Sequence, residues 1–262
     1  MTGAPKSDMP ASRFILGQRV DYTTYEKTTE HILHAAAIEN AMYVCVSNVH
    51  MVMEGHDDPE FRALVNNADL IIPDGVPLVW GLKLLGIKKA ERVYGPALTP
   101  IICEEAARRG VPMGFYGGTE EVLARMKANL LWDYPDLQIA YTYSPPFRQL
   151  TEQEDKQVVR DISAAGVRVL FIGLGCPKQE RWMAAHKDHF SFPLIGVGAA
   201  FDFIASVKPQ APGWMRRAGL EWFFRLITEP RRLFKRYLFH NPRFLFNFML
   251  QLIRLKRYYP SN

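Results

Sequence analysis

The chain has 262 residues, 48% hydrophobic, 12% aromatic and 23% charged, with a formal net charge of +5. That balance excludes a disordered or low-complexity chain and suits one sizeable domain, or a domain with an appendage. The three cysteines, Cys45, Cys103 and Cys176, lie far apart in apolar or glycine-rich surroundings, which speaks against a disulfide framework or zinc-finger spacing and fits free thiols in a reducing compartment.

No stretch reaches ~18 uninterrupted apolar residues, so no transmembrane helix is expected. Lys6, Asp8 and Arg13 interrupt any signal-peptide core. The positive charge is local. Residues 214–262 hold eleven Lys or Arg against two acids, Glu221 and Glu229, a local +9 that leaves residues 1–213 at −4.

In chain order, residues 1–12 read as a flexible leader. From there to residue 213, helical patterns alternate with short apolar runs. TTYEKTTEHILHAAAIEN (23–40) has helical period and precedes MYVCVSN (42–48), a strand. DLIIPD (69–74) is the second strand, and VPLVWGLKLLG (76–86) after it looks helical. PMGFYGG (112–118), LQIAYTYS (137–144), VRVLFIGLG (167–175) and PLIGVGAAFD (193–202) complete six strands. They lack clean alternation, as strands buried on both faces should. TEEVLARMKANLLW (119–132), TEQEDKQVVRDISAAG (151–166) and PKQERWMAAHKDH (177–189) are the intervening helices. Thr119 and Thr151 stand at N-caps and Gly166 at a C′ position. The alternation predicts an α/β fold: an open, mostly parallel, Rossmann-like sheet with helices on both faces. The tail, 214–262, reads as a basic, aromatic-rich helical C-terminal appendage of three helices broken at Pro230 and Pro242.

Ligands of such sheets sit beyond the carboxyl ends of the strands. The strand-exit residues are therefore expected to converge: Asn48 with His50, Asp74 with Gly75, Gly117 with Gly118, Gly173 to Gln179, and Gly198 to Asp202. Each has a structural reading beside the functional one. Pro73-Asp74-Gly75 is an ordinary turn tripeptide, yet between a strand exit and a helix start its carboxylate points into the cleft, where a general base is wanted. Gly117-Gly118 and Gly175 suit either tight turns or backbone cradles for an anion at a helix N-terminus, with Lys178 and Gln179 on the first turn of the next helix. Asn48 can read hydroxyls or a uracil edge. His50 is equally at home as a packed structural histidine. Arg92 can serve a phosphate or the Asp74 carboxylate.

In the tail, Arg225, Arg232, Arg236 and Arg243 recur at helical spacing among aromatics such as Trp222, Phe234 and Phe239, the composition of a surface for anionic lipid. A packed helical bundle is the competing reading, and burial between copies of the chain would make a homo-oligomer. No nucleic-acid partner is expected. A nicotinamide oxidoreductase would need GxGxxG after the first strand, which SNVHMVMEG does not supply. A non-catalytic membrane-surface binding module built on the tail stays open.

ADLIIPDGVPLVW, ERVYGPAL, GFYGGTEEVL, GLGCPKQERWM, GVGAAFDFIAS and KPQAPGWMRRAGLEWFFRLITEPRRLFKRY, in this order over roughly 13–245, resemble the WecG/TagA/CpsF family of bacterial glycosyltransferases, glycosyltransferase family 26. The resemblance implies an inverting enzyme that moves a sugar from a UDP-sugar to an undecaprenyl-diphosphate-linked sugar for cell-surface polysaccharide, at the cytoplasmic face of the plasma membrane. It places the proposed base at Asp74, with Arg92, Gln179 and Asn48 as active-site partners; the strand-exit reading adds Gly75, Gly117, Gly118, Gly175, Lys178, Asp202 and His50 about the substrate. Arg225, Arg232 and Arg236 would meet the lipid diphosphate. Where the family often has a threonine this chain has Val46, so Ser47 or His50 is the available substitute. No DxD pair stands at a strand exit, and neither a metal nor a cofactor is expected.

Overall fold

Alternate residues of each central strand enter different cores, which explains the missing polar–apolar alternation. The computed structural model describes residues 10–217, 219–255 and Tyr258. Its elements are β1 (Ser12–Ile15), β2 (Gln18–Asp21), α1 (Tyr25–Ala37), β3 (Met42–Ser47), α2 (Val49–Asp57), α3 (Pro59–Asn66), β4 (Leu70–Pro73), α4 (Val76–Leu84), α5 (Gly95–Arg109) and β5 (Met113–Gly117). There follow α6 (Glu120–Asp133), β6 (Ile139–Tyr143), α7 (Glu152–Ala164), β7 (Val169–Gly173), α8 (Lys178–His186), β8 (Pro193–Gly196), α9 (Ala200–Ile204), α10 (Gly213–Arg217), α11 (Glu221–Thr228) and α12 (Pro230–Leu252).

Six strands pair in the order β4-β3-β8-β7-β5-β6, every pair parallel. Val44, Val46, Phe115, Phe171 and Ile195 face one core with α1, α5, α6 and α9. Tyr43, Cys45, Tyr116, Leu170 and Ile172 face the other with α3, α7 and α8. This is the expected α/β sheet with helices on both faces. The three cysteines are free thiols.

Three local expectations are corrected. The strand expected over 193–202 ends at Gly196, and its apolar continuation is α9, because Phe201 and Phe203 find burial as helical residues. A short apolar run does not distinguish the two by period alone. Residues 1–9 of the expected leader lie outside the described residues, whereas Ser12 opens a hairpin with β2. Asp21 of that hairpin accepts from the Ile71 amide at 2.8 Å, so a carboxylate covers an amide on the edge strand β4.

The tail breaks at Pro230 but not at Pro242, through which α12 runs to Leu252. Its second half is held from outside. Phe244 and Phe248 are buried against the hairpin, α2 and α4. Gln251 donates to the Phe14 carbonyl at 2.7 Å and accepts from the Leu16 amide at 2.9 Å. Arg243 forms two bonds with Asp57 of α2, at 2.6 and 2.9 Å, so it faces the body and leaves the expected lipid-facing stripe. These contacts outweigh the lost helical bond at a proline. Phe244→Ala is expected to lower stability by about 3–5 kcal/mol in denaturant unfolding, whereas Trp132→Ala on the exposed face of α6 should change it by less than about 0.5 kcal/mol.

Candidate active site

The turn leaving β4 is tied to the exit of β3. The amides of Asp74 and Gly75 both donate to the Ser47 carbonyl, at 2.8 and 3.3 Å. A Cβ on Gly75 would lie 3.3 Å from the Asn48 Cα, so glycine lets the two exits meet. Asp74 Oδ1 accepts from the Gly95 amide at the start of α5, at 3.2 Å, and stands 3.7 Å from Arg92 Nη2. Arg92 Nε donates to the Asp74 carbonyl. The same guanidinium lies 4.2 Å over the Tyr94 ring and places Nη1 2.8 Å from Glu221 Oε2. Glu221, buried at the start of α11, brings the tail into the site.

Burial pushes the Asp74 carboxyl up to about 6. Arg92 opposes that rise, Glu221 adds to it, and Arg225 opposes it again from one turn along α11. Burial, then the Glu221 and Asp74 carboxylates, pushes the Tyr94 phenol well up. Arg225 lies 5.5 Å from the Phe203 ring, and its Nε is buried with no hydrogen-bond partner among the described residues. A buried donor of that kind is expensive to leave unmet, which makes it a ready partner for an anion.

From Asp74 the rim continues to β8 and β7. A Cβ on Gly95 would stand 3.8 Å from the Val197 carbonyl, and one on Gly198 3.6 Å from Gln179 Oε1. Gln179 is buried, accepts from the Gly175 amide at 3.1 Å and donates to Glu180 Oε1 at 2.7 Å. Glu180 is fully buried, and burial pushes its carboxyl up to about 7. Lys178 stands exposed on the first turn of α8. Gly117 has φ 124°, and a Cβ there would meet the Gly173 carbonyl carbon at 2.6 Å, so no other residue fits between the β5 and β7 exits. Gly118, at φ 69°, leads into α6, which Thr119 caps through the Val122 amide at 3.2 Å.

Other expected residues have structural partners. Asn48 Oδ1 caps α2, accepting from the His50 and Met51 amides at 3.0 and 3.3 Å, which leaves the Nδ2 donors as the part that can serve a ligand. Ser47 Oγ accepts from Gln18 at 2.7 Å on the hairpin side. Asp202 pairs with Lys208 at 2.7 Å. His50 faces Glu54 and His240. The side chains of Arg232 and Arg236 lie outside the described part of the structure. Glu221, Tyr94 and Glu180 were missed by the sequence reading. Glu221 carried one signal, as one of two acids in a tail of eleven cations.

The model of the glycosyl transferase WecG/TagA/CpsF family matches residues 13–258. An N-acetylglucosaminyldiphosphoundecaprenol N-acetyl-beta-D-mannosaminyltransferase of Bacillus spizizenii is 30% identical over 193 residues, 72% of each chain. A protein of the same name from Staphylococcus aureus (strain NCTC 8325) is 28% identical over 222 residues, 84% of this chain and 85% of its own.

The raised Asp74 carboxyl has a defined stability signature. A carboxyl whose folded value exceeds its unfolded one stabilises the fold most when protonated, and that contribution is lost as pH rises from about 4 to about 6. Asp74→Asn should therefore be more stable than wild type at pH 7.5, by up to about 3 kcal/mol, and converge with it near pH 4. Paired urea unfolding across that range reads the difference, and a variant less stable at pH 7.5 would refute it.

Proposed function

The chain belongs to the WecG/TagA/CpsF family of glycosyl transferases and is a hexosyltransferase, and from that premise we propose that it moves a sugar from a UDP-sugar to an undecaprenyl-diphosphate-linked sugar, with inversion and with Asp74 as general base. The observation that carries this reading is the Asp74 carboxylate itself, held at a strand exit between Arg92 and the Gly95 amide and pushed up to about 6 by burial. A base with that value is mostly charged at neutral pH and strong enough to accept a hydroxyl proton in the transition state.

In the proposed step the acceptor hydroxyl loses its proton to Asp74 as its oxygen attacks the anomeric carbon. The bond from that carbon to the UDP oxygen breaks on the opposite face, and UDP leaves with the electron pair. The charge that develops on the diphosphate is met by fixed groups: the N-termini of α6 and α8, the backbone at Gly117, Gly118 and Gly175, and Lys178. Gln179, with its oxygen on the Gly175 amide, shapes that loop. Arg92 holds Asp74 in place, and the unmet Arg225 Nε suits the acceptor's diphosphate. The acceptor class is supported by the names of the curated relatives, and their N-acetylmannosaminyl donor is the first to test.

The tail's outward side supports a peripheral membrane location, and the proposed location is the cytoplasmic face of the plasma membrane. Trp222, Phe223, Ile227, Phe234, Leu238 and Phe239 are all exposed on α11 and α12. Among the described residues no helix is long and apolar enough to cross a membrane. An exposed apolar row in a segment so rich in Lys and Arg suits the interface plane.

Two outcomes follow. UDP release with a panel of UDP-sugars and a short-chain lipid-diphosphate sugar should show turnover in wild type, with the acid limb of kcat/KM falling below about pH 6. Asp74→Asn should lower kcat by about 100-fold or more and remove that limb. An unchanged rate would overturn the base assignment. In co-sedimentation, the chain should bind vesicles containing anionic lipid and release them as salt rises. The double change Phe234→Ser with Leu238→Ser should weaken binding by at least ~10-fold, since each buried apolar side chain contributes about 1.5–3 kcal/mol.

A further inference from the structure

His50, Glu54 and His240 form a cluster that the transfer chemistry does not use. His50 and Glu54 are four apart on α2 and share a face, while His240 comes from the middle of α12. One ligand-competent atom from each lies within 4.8 Å of the others. His50 Nδ1 is buried without a hydrogen bond among the described residues, its charged neighbour Glu54 Oε1 standing 3.5 Å off. The His50 and His240 rings meet edge to face, with centroids 5.2 Å apart.

The cluster sits in a fixed frame. Asp57 and Asp58 follow Glu54 at the end of α2, and these two acids hold Arg243 and Arg181 in place. The Asp57–Arg243 pair already seats α12 on α2, one turn from both Glu54 and His240. The three ligands are thus delivered by a docked interface rather than by loose side chains.

We propose that His50, Glu54 and His240 bind a divalent transition-metal ion, zinc by preference, that pins α12 to α2. Two imidazoles and a carboxylate suit zinc, and are poor partners for magnesium or calcium, which take oxygen ligands. Bond lengths near 2.0–2.2 Å place tetrahedral ligand atoms about 3.3 Å apart, so a small side-chain adjustment closes the site, with water in the fourth position. The ion would lock α12, the helix that follows α11 with its Glu221 and Arg225. This inference does not rest on the proposed reaction, because its readouts are binding and backbone protection.

The test uses the full chain, stripped with EDTA and titrated with zinc chloride by calorimetry, alongside hydrogen exchange of α12. One equivalent should bind, exchange in α12 should slow, and magnesium should do neither. Glu54→Gln and His240→Gln should each weaken zinc binding by ~10-fold or more, while His31→Gln on the exposed face of α1 should bind as wild type. The metal-free melting temperature of each variant shows that it is folded. No saturable zinc binding, equal affinity in the folded Glu54→Gln and His240→Gln variants, or an equal loss in His31→Gln would overturn the assignment.

Discussion

The Arg92 guanidinium is shared between two carboxylates far apart in the chain, Asp74 at the exit of β4 and Glu221 at the start of α11. Neither acid is stable in that place without a cation, because partial burial in a low dielectric disfavours the charged form. Arg92 offsets that penalty without cancelling it, and Asp74 settles between the value of a free carboxyl and that of a fully buried one. Glu221 occupies one edge of the fork, which leaves Asp74 a longer contact. The tail therefore reaches the electrostatics of the strand-exit carboxylate directly, through Glu221 and Arg225.

A second constraint comes from backbone clearance. The exits of β3 and β4 touch at Gly75, those of β5 and β7 at Gly117, and the buried Gln179 side chain lies against Gly196 and Gly198. Side chains there would push the strand ends apart and open the rim that runs from Asp74 to Gln179. These glycines are placed by contact as well as by turn conformation, so their role belongs to the sheet as a whole.

Much of this was legible in sequence. Apolar runs without alternation gave the parallel sheet, and the rule that ligands gather at strand exits picked out Asp74, Gly75 and Gln179 before any contact was known. Arg92 could be matched to Asp74 because it follows the helix after Asp74 by only a short linker. What escaped depends on residues distant in sequence. The continuity of α12 through Pro242 rests on Gln251 bonding to β1, the Arg243–Asp57 pair and the burial of Phe244, none of which a local pattern contains. Asn48 was expected as a ligand residue and is a helix cap through Oδ1, so only its Nδ2 is left for the expected role. Glu221 was overlooked because, in a basic tail, an acid reads as a solvated exception until its partner is seen.

The short helix α11 joins the site to the outer surface. Glu221, bonded to Arg92, and Arg225, one turn on, both act on the Asp74 carboxyl by charge, while Trp222, Phe223 and Ile227 between and beyond them stand exposed. In eight residues the helix has no freedom to adjust one face without moving the other. A rotation that withdrew its aromatic face would also pull Glu221 from Arg92 and shift Arg225 from the carboxylate. Whatever occupies the exposed aromatic face is consequently coupled, through one rigid turn of helix, to the charge environment of Asp74. On the proposed reading, that occupant is the membrane holding the acceptor, and the surface that delivers the substrate also steadies the groups that meet its diphosphate.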